Sequence, residues 1–269
     1  MVRLPAVAGR FYSDQTKDLA LQVESYSVAP AGSGRRCAIA CLVPHAGYRF
    51  SGHVVGAVYA RLELPRRFLL LGPRHYPRGE AQAILSEGAW QTPLGLAEID
   101  TGLATELKRR CPSLIEDAEA HRNEHALEVQ LPFLQSLASD FRFVPIALAT
   151  TDYGQLESLG RAIAAALAKQ AEPVLIVASS DMNHYESDEI TRGKDRKALD
   201  QLLALEPRGL YEVVRREGIT MCGFGPAVSM LTAARLLGAA HADLVCYATS
   251  GDTNGDRDEV VGYAGVIVD

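Results

Sequence analysis

The chain has 269 residues, of which 48% are hydrophobic and 22% charged, and a net charge of −6; this is the balance of a folded protein with a large core, and it excludes a disordered chain. There is no Lys/Arg block and no aromatic-basic stripe, so nucleic acid is not an expected partner. No run is long and apolar enough for a signal peptide or a membrane span, so a cytoplasmic protein without membrane contact is expected.

Short apolar runs alternate with longer amphipathic segments, the pattern of a single-domain α/β fold over residues 1–269 with a mostly parallel central sheet flanked by helices. The run 37–43 reads as a strand, and 51–63 as a helix capped by Ser51 with Val54, Val55, Val58 and Leu62 on one face. A strand at 67–72 follows, then a helix at 100–110 and another at about 124–139, which Pro132 should end or kink. Strands 142–148 and 173–179 flank a helix at 152–170. Helices at 187–204, 207–217 and 225–237 precede two β-segments, 242–249 and 259–268. The stretch from Pro30 to Gly34 is the only linker-like composition, and it is too short to separate two domains.

The five cysteines form an odd set without a CxxC pair, which argues against a disulfide framework or a zinc ribbon. Cys37, Cys41 and Cys246 lie in strand-like runs and are expected to be small core residues. Cys222 sits in a Gly- and Pro-containing loop, where its residue pattern fits a structural or a functional thiol equally.

Two histidines stand at strand exits: His45 after Val43-Pro44, and His75 after Gly72-Pro73-Arg74. In open α/β sheets ligands bind outside the carboxyl ends of the strands, so two imidazoles delivered from two such ends can converge on one ion, with the Cys222 thiolate as a third donor. Such a set leaves positions open for water, O₂ or substrate, and its sulfur favours Fe(II), Cu(I) or Zn(II) over Mg or Ca. Ser179-Ser180-Asp181-Met182-Asn183-His184 closes another apolar run. Asp181 could orient His184 at the same crevice, or Ser180 or Asp181 could cap a helix carrying His184 in its first turn. Glu124, His125 and Glu128 would share one face of the 124–139 helix, which could be a solvated charged face or could carry His125 over the crevice as a proton shuttle. Tyr48, Arg74 and Glu128 are expected to line a substrate pocket. His53 and His121 read as surface or core residues.

Residues 252–258 imitate a calcium loop, but the glycine is misplaced and the twelfth position is Tyr263. Gly223-Phe224-Gly225 lacks the third glycine of a dinucleotide fingerprint, and no Gly-x-Ser-x-Gly or P-loop occurs.

Taken together, Pro44-His45-Ala46-Gly47-Tyr48 with Phe50-Ser51-Gly52, Gly72-Pro73-Arg74-His75, Glu124-His125-Ala126-Leu127-Glu128, Ser179 to His184, Ser250-Gly251-Asp252 and Val261-Gly262-Tyr263 resemble the Memo family over almost the whole chain. That family is similar in fold to the class III (LigB-type) extradiol dioxygenases, whose non-haem iron is held by two His and one Glu. The resemblance places His45 and His75 at the two His ligands and Cys222 where the dioxygenases have the carboxylate. His184 and His125 then resemble acid/base histidines beside the ion. It implies a dioxygenase-like oxidoreductase with one transition-metal ion, Fe(II) first and Cu(I) or Zn(II) as alternatives, acting on a small molecule. The alternative it implies is a metal- or phosphopeptide-binding protein that uses the same pocket without turnover.

Overall fold

In the computed structural model, which describes residues 1–28, 34–138 and 140–269, the elements run β1 (Val2–Arg3), α1 (Thr16–Tyr26), β2 (Ala40–Val43), α2 (Tyr48–Tyr59), β3 (Arg67–Pro73) and β4 (Gln82–Ile84). There follow β5 (Ala89–Thr92), β6 (Gly95–Ile99), α3 (Thr101–Arg110), β7 (Ile115–Glu116), α4 (Ala118–Arg122), α5 (Leu131–Leu137), β8 (Arg142–Leu148) and α6 (Tyr153–Leu167). The remainder is β9 (Leu175–Ser179), β10 (His184–Glu186), α7 (Asp188–Leu203), α8 (Pro207–Arg216), α9 (Phe224–Leu236), β11 (Ala242–Thr249), α10 (Gly251–Asn254) and β12 (Val260–Val268).

The apolar runs that lack a polar alternation become the middle of the sheet because both their faces are covered. β8, β3, β9 and β2 lie side by side and parallel. Phe68 and Leu70 of β3 pack with α1, α2 and α5 residues such as Leu19, Val55 and Phe133. Leu69 and Leu71 face the other way, into a core that includes Leu103, Ile163, Val213 and Leu231. This is the α/β, mostly parallel, helix-flanked architecture that the alternation predicts. Truncating Leu70 to Ala would open a cavity worth about 2–5 kcal/mol. The antiparallel pairs lie toward the edges: β12 joins β2 to β11 and β10, and the β5–β6 hairpin turns at Pro93-Leu94.

Several boundaries differ from expectation for local reasons. α2 starts at Tyr48 with Gly47 at its N-cap, and Ser51 donates back to the Ala46 carbonyl rather than capping. The expected helix over 124–139 is broken. Residues 124–127 are irregular, Glu128–Gln130 form one 3₁₀ turn, and Pro132 lies in the first turn of α5, where its missing N–H costs nothing. Residues 252–254 are helical rather than loop. Cys37 is exposed, with its thiol against Glu63, so it is not a core residue; Cys41 and Cys111 are buried, and all five cysteines are free. The linker-like stretch falls, apart from Gly34, outside the described residues. No helix of the described residues is long and apolar enough to cross a membrane.

Candidate metal centre

Parallel pairing sets the site. Val43 at the end of β2 is in register with Ser179 at the end of β9, so the residues two further on, His45 and Asp181, leave the sheet together. The His45 amide donates to Asp181 Oδ1 at 2.7 Å. β3 exits alongside and delivers His75, while the irregular 124–127 segment lies over that exit. A Cβ on Gly72 would come within 2.6 Å of Leu127, so glycine is what lets the two approach.

Three of the imidazoles, His45, His75 and His184, are held by their Nδ1 side. Ser179 Oγ donates its one proton to the Ala126 carbonyl (2.7 Å) and accepts from Gln130 Nε2 (3.1 Å). Its contact with His45 Nδ1 (3.0 Å) must therefore be a second accepted bond, which leaves a lone pair on His45 Nε2. His75 Nδ1 donates to Glu124 Oε1 at 2.9 Å, which likewise leaves Nε2 free. Glu124 is fully buried and also accepts from the amides of His75 (2.6 Å), His125 and Ala126 (2.9 Å each). His184 Nδ1 lies 3.0 Å from the Thr220 carbonyl, which can only accept, so its Nε2 is free as well.

His45, His75 and His125 bring one ring nitrogen each to within 4.8 Å of one another, a group that could hold a metal ion. The His75 and His125 rings stack at 4.6 Å, and both stand edge-on to His45. Cys222 approaches from the opposite wall, its Sγ 3.2 Å from His45 Nε2. The cavity around them, about 610 Å³, is also lined by Phe11, Asp181, His184, Tyr185, Thr220 and Tyr263. Tyr185 sits at a bulge in β10 with φ +60°, a backbone conformation that a bulky residue seldom adopts.

Burial, followed by the neighbouring imidazoles, lowers the pKa of His45 to about 3 and of His125 to about 4, so both are neutral at pH 7. For His75 burial opposes protonation, but the Glu124 hydrogen bond and charge outweigh it, and the pKa is raised. Burial would raise Glu124, yet its bonds to His75 and the charge of His125 hold it down at about 2. Burial raises Asp181. Burial and the Asp181 charge also push the Cys222 thiol upward, so without a metal it is a thiol and not the reactive thiolate that a converging ion site suggests.

Sequence reasoning placed three further residues at the pocket, and the structure puts them elsewhere. Tyr48 is buried and donates to the Val129 carbonyl. Arg74 turns toward the carbonyls of Gly79 and Glu80. Glu128 is buried against Arg3 and the N-terminal segment, far from a shared face with Glu124, because no helix joins the two. Conversely, Glu124, Ser179 and Phe11 were not assigned roles at the site. A strand-terminal Ser179 immediately before the Asp181 motif was the one readable signal. Beyond the pocket, His121 is buried beside Trp90.

A family model described as Memo-like protein matches residues 3–267. This chain belongs to the Memo-like family. It is 40% identical to a MEMO1 family protein of Methanopyrus kandleri, covering 99% of both chains. It is 37% identical to a MEMO1 family protein of Methanothermobacter thermautotrophicus, covering 98% of this chain and 99% of that one. The crystal structure of an uncharacterized Escherichia coli K12 protein superposes with a TM-score of 0.57 at 14% identity, over 83% of this chain and 98% of that one, a likeness of fold alone. Within this Memo-like chain, the strand-exit histidines His45 and His75 come together with His125.

Proposed function

We propose that the protein is a metal-dependent, dioxygenase-like oxidoreductase that holds one transition-metal ion, Fe(II) before Cu(I) or Zn(II), on His45 Nε2, His75 Nε2 and Cys222 Sγ. The observation that carries this reading is the pair of lone pairs fixed by Ser179 and Glu124, with a sulfur 3.2 Å from one of them. Two ligands on one tetrahedral ion, with bonds of about 2.3 Å to sulfur and 2.0 Å to nitrogen, stand roughly 3.5 Å apart, so the thiol needs little adjustment. Such an ion supplies open positions for O₂ and an oxygen-bearing substrate and keeps the thiol deprotonated. His125 stacks flat on His75, which suits a proton carrier beside the ion better than a ligand converging on it. His184, with a free Nε2 across the cavity, is the second carrier, and Asp181 holds the His45 backbone.

A three-histidine site with Cys222 alongside is the second reading, favoured by the mutual approach of His45, His75 and His125. Among the described residues that line the cavity none is Lys or Arg, so a phosphorylated peptide would find only the ion to neutralise it, which disfavours that partner. The test is protein loaded anaerobically with Fe(II) and challenged with O₂ and a panel of catechols. Oxygen uptake is expected, and His184→Ala should keep the metal while lowering turnover about 10²- to 10⁴-fold. Stoichiometric metal with no uptake on any substrate would move the protein to the non-catalytic metal-binding class.

A further inference from the structure

Between α4 and the 3₁₀ turn at Glu128–Gln130, the irregular residues 123–127 carry Glu124 and His125 and pair with no strand. The carbonyls of His121 and Glu124 and the buried acid Glu128 are taken up by the N-terminal segment. Arg3 reaches over with all three guanidinium nitrogens: Nε donates to the His121 carbonyl (2.7 Å), one terminal nitrogen to the Glu124 carbonyl (2.7 Å), the other to Glu128 Oε2 (2.7 Å). Glu128 also accepts from the amides of Ala6 (2.8 Å) and Val7 (3.0 Å) and from the Tyr12 hydroxyl (2.7 Å). The pair is nearly solvent-free, with 8% of the Arg3 side chain and none of Glu128 exposed. From this anchor the segment continues to Phe11, whose ring lies 4.8 Å from His125 and whose carbonyl accepts from the Tyr48 amide at the start of α2.

We propose that Arg3 and Glu128 are positioning residues for His125: the planar five-donor fork of Arg3 fixes the backbone on both sides of residue 123, Glu128 fixes residues 6–12, and together they press Phe11 onto the imidazole. The chemistry demands an arginine. A lysine at position 3 keeps a charge opposite Glu128, but one ammonium cannot reach two carbonyls and a carboxylate in three directions at once. The N-terminal segment is thereby a strap across the cavity wall, and the placement of the third histidine depends on residues more than a hundred positions away in the chain. What His125 does once placed rests on the metal reading above; the placement itself does not.

The test therefore uses metal-free protein. Diethyl pyrocarbonate labelling, followed by peptide mass mapping, reports each imidazole separately, and amide hydrogen exchange reports residues 121–126. Arg3→Met and Arg3→Lys should both raise His125 labelling about tenfold or more and release the His125 and Ala126 amides, with His45 and His75 unchanged, as for a local opening. Arg3→Lys keeps the buried acid paired and so guards against a variant that does not fold. Wild-type labelling and exchange in Arg3→Lys would overturn the proposal. So would a parallel rise at all site histidines, since that marks general loosening instead of a specific positioning role. Failure of the protein to bind metal would leave these readouts standing and would count against the metal reading alone.

Discussion

The two walls of the cavity are built to different specifications. On one, His45 and His75 leave parallel strands and Glu124 lies pressed against them; His45 and Glu124 are buried, 31% of the His75 side chain is exposed, and both imidazoles have their Nδ1 partner assigned. On the other, His184 and Tyr185 belong to a three-residue edge strand with a bulge, and Tyr185 is 72% exposed at a positive φ. Cys222 lies between them, and it can do so because position 223 is glycine: a Cβ there would meet the Ser179 carbonyl at 2.4 Å. The difference teaches a division of labour. The buried wall fixes electron pairs, which suits an ion, and the open wall exposes polar and aromatic groups, which suits exchange of substrate and protons.

The largest effect should come from the buried wall. His45→Ala or His75→Ala is expected to abolish stoichiometric binding of Fe(II) or Zn(II) by metal analysis with the fold retained by circular dichroism; full occupancy in both variants would refute the assignment. Next, Glu124→Gln should weaken metal binding about 10- to 100-fold by titration, since it loosens His75 without removing a ligand. His184→Ala should stay near wild type in the same titration, and equal losses at the two positions would erase the contrast between the walls.

The Cys222 thiol can be sharpened by pH. A raised thiol pKa means a proton must leave when sulfur binds, so affinity should climb about tenfold per unit between pH 7 and 9. Loss of that slope above the pH at which His75 is deprotonated would select the three-histidine site, whose His45 and His125 are already neutral. In either case His75, whose pKa is raised, binds a proton in competition with the metal, so affinity falls as pH drops through a value above 6.5. The smallest effect belongs to the open wall: Tyr185→Gly relieves a positive φ at an exposed position and should stabilise by up to about 1 kcal/mol, a rise of roughly 2 °C in melting temperature.

The strand exits were legible because an apolar run followed by Pro-His or Gly-Pro-x-His combines a burial signal with a break, and both are local. The helices with several apolar positions on one face, such as α6 and α8, were legible for the same reason. α1 was not, since it anchors itself with only Leu19 and Val23. The segment around Glu124 was misread because its acid answers to His75, 49 positions away, and its periodicity imitates a helix that Pro132 in fact begins. Glu128 looked like a pocket residue for the same reason, although its partners are in the first twelve residues. Long-range partners of a polar side chain leave no period in the sequence.

The Ser179 hydroxyl has a consequence for proton traffic. An imidazole conducts protons by taking one on one nitrogen and releasing another from the opposite nitrogen, and the release requires an acceptor that can pass the proton on. At His45 that far side ends in a hydroxyl whose own hydrogen is spent on a backbone carbonyl and whose other neighbour is an amide donor. The wire stops there. His45 can offer its electron pair to the cavity, but it cannot relay charge out of it, so any proton that the chemistry moves must leave by the other imidazoles.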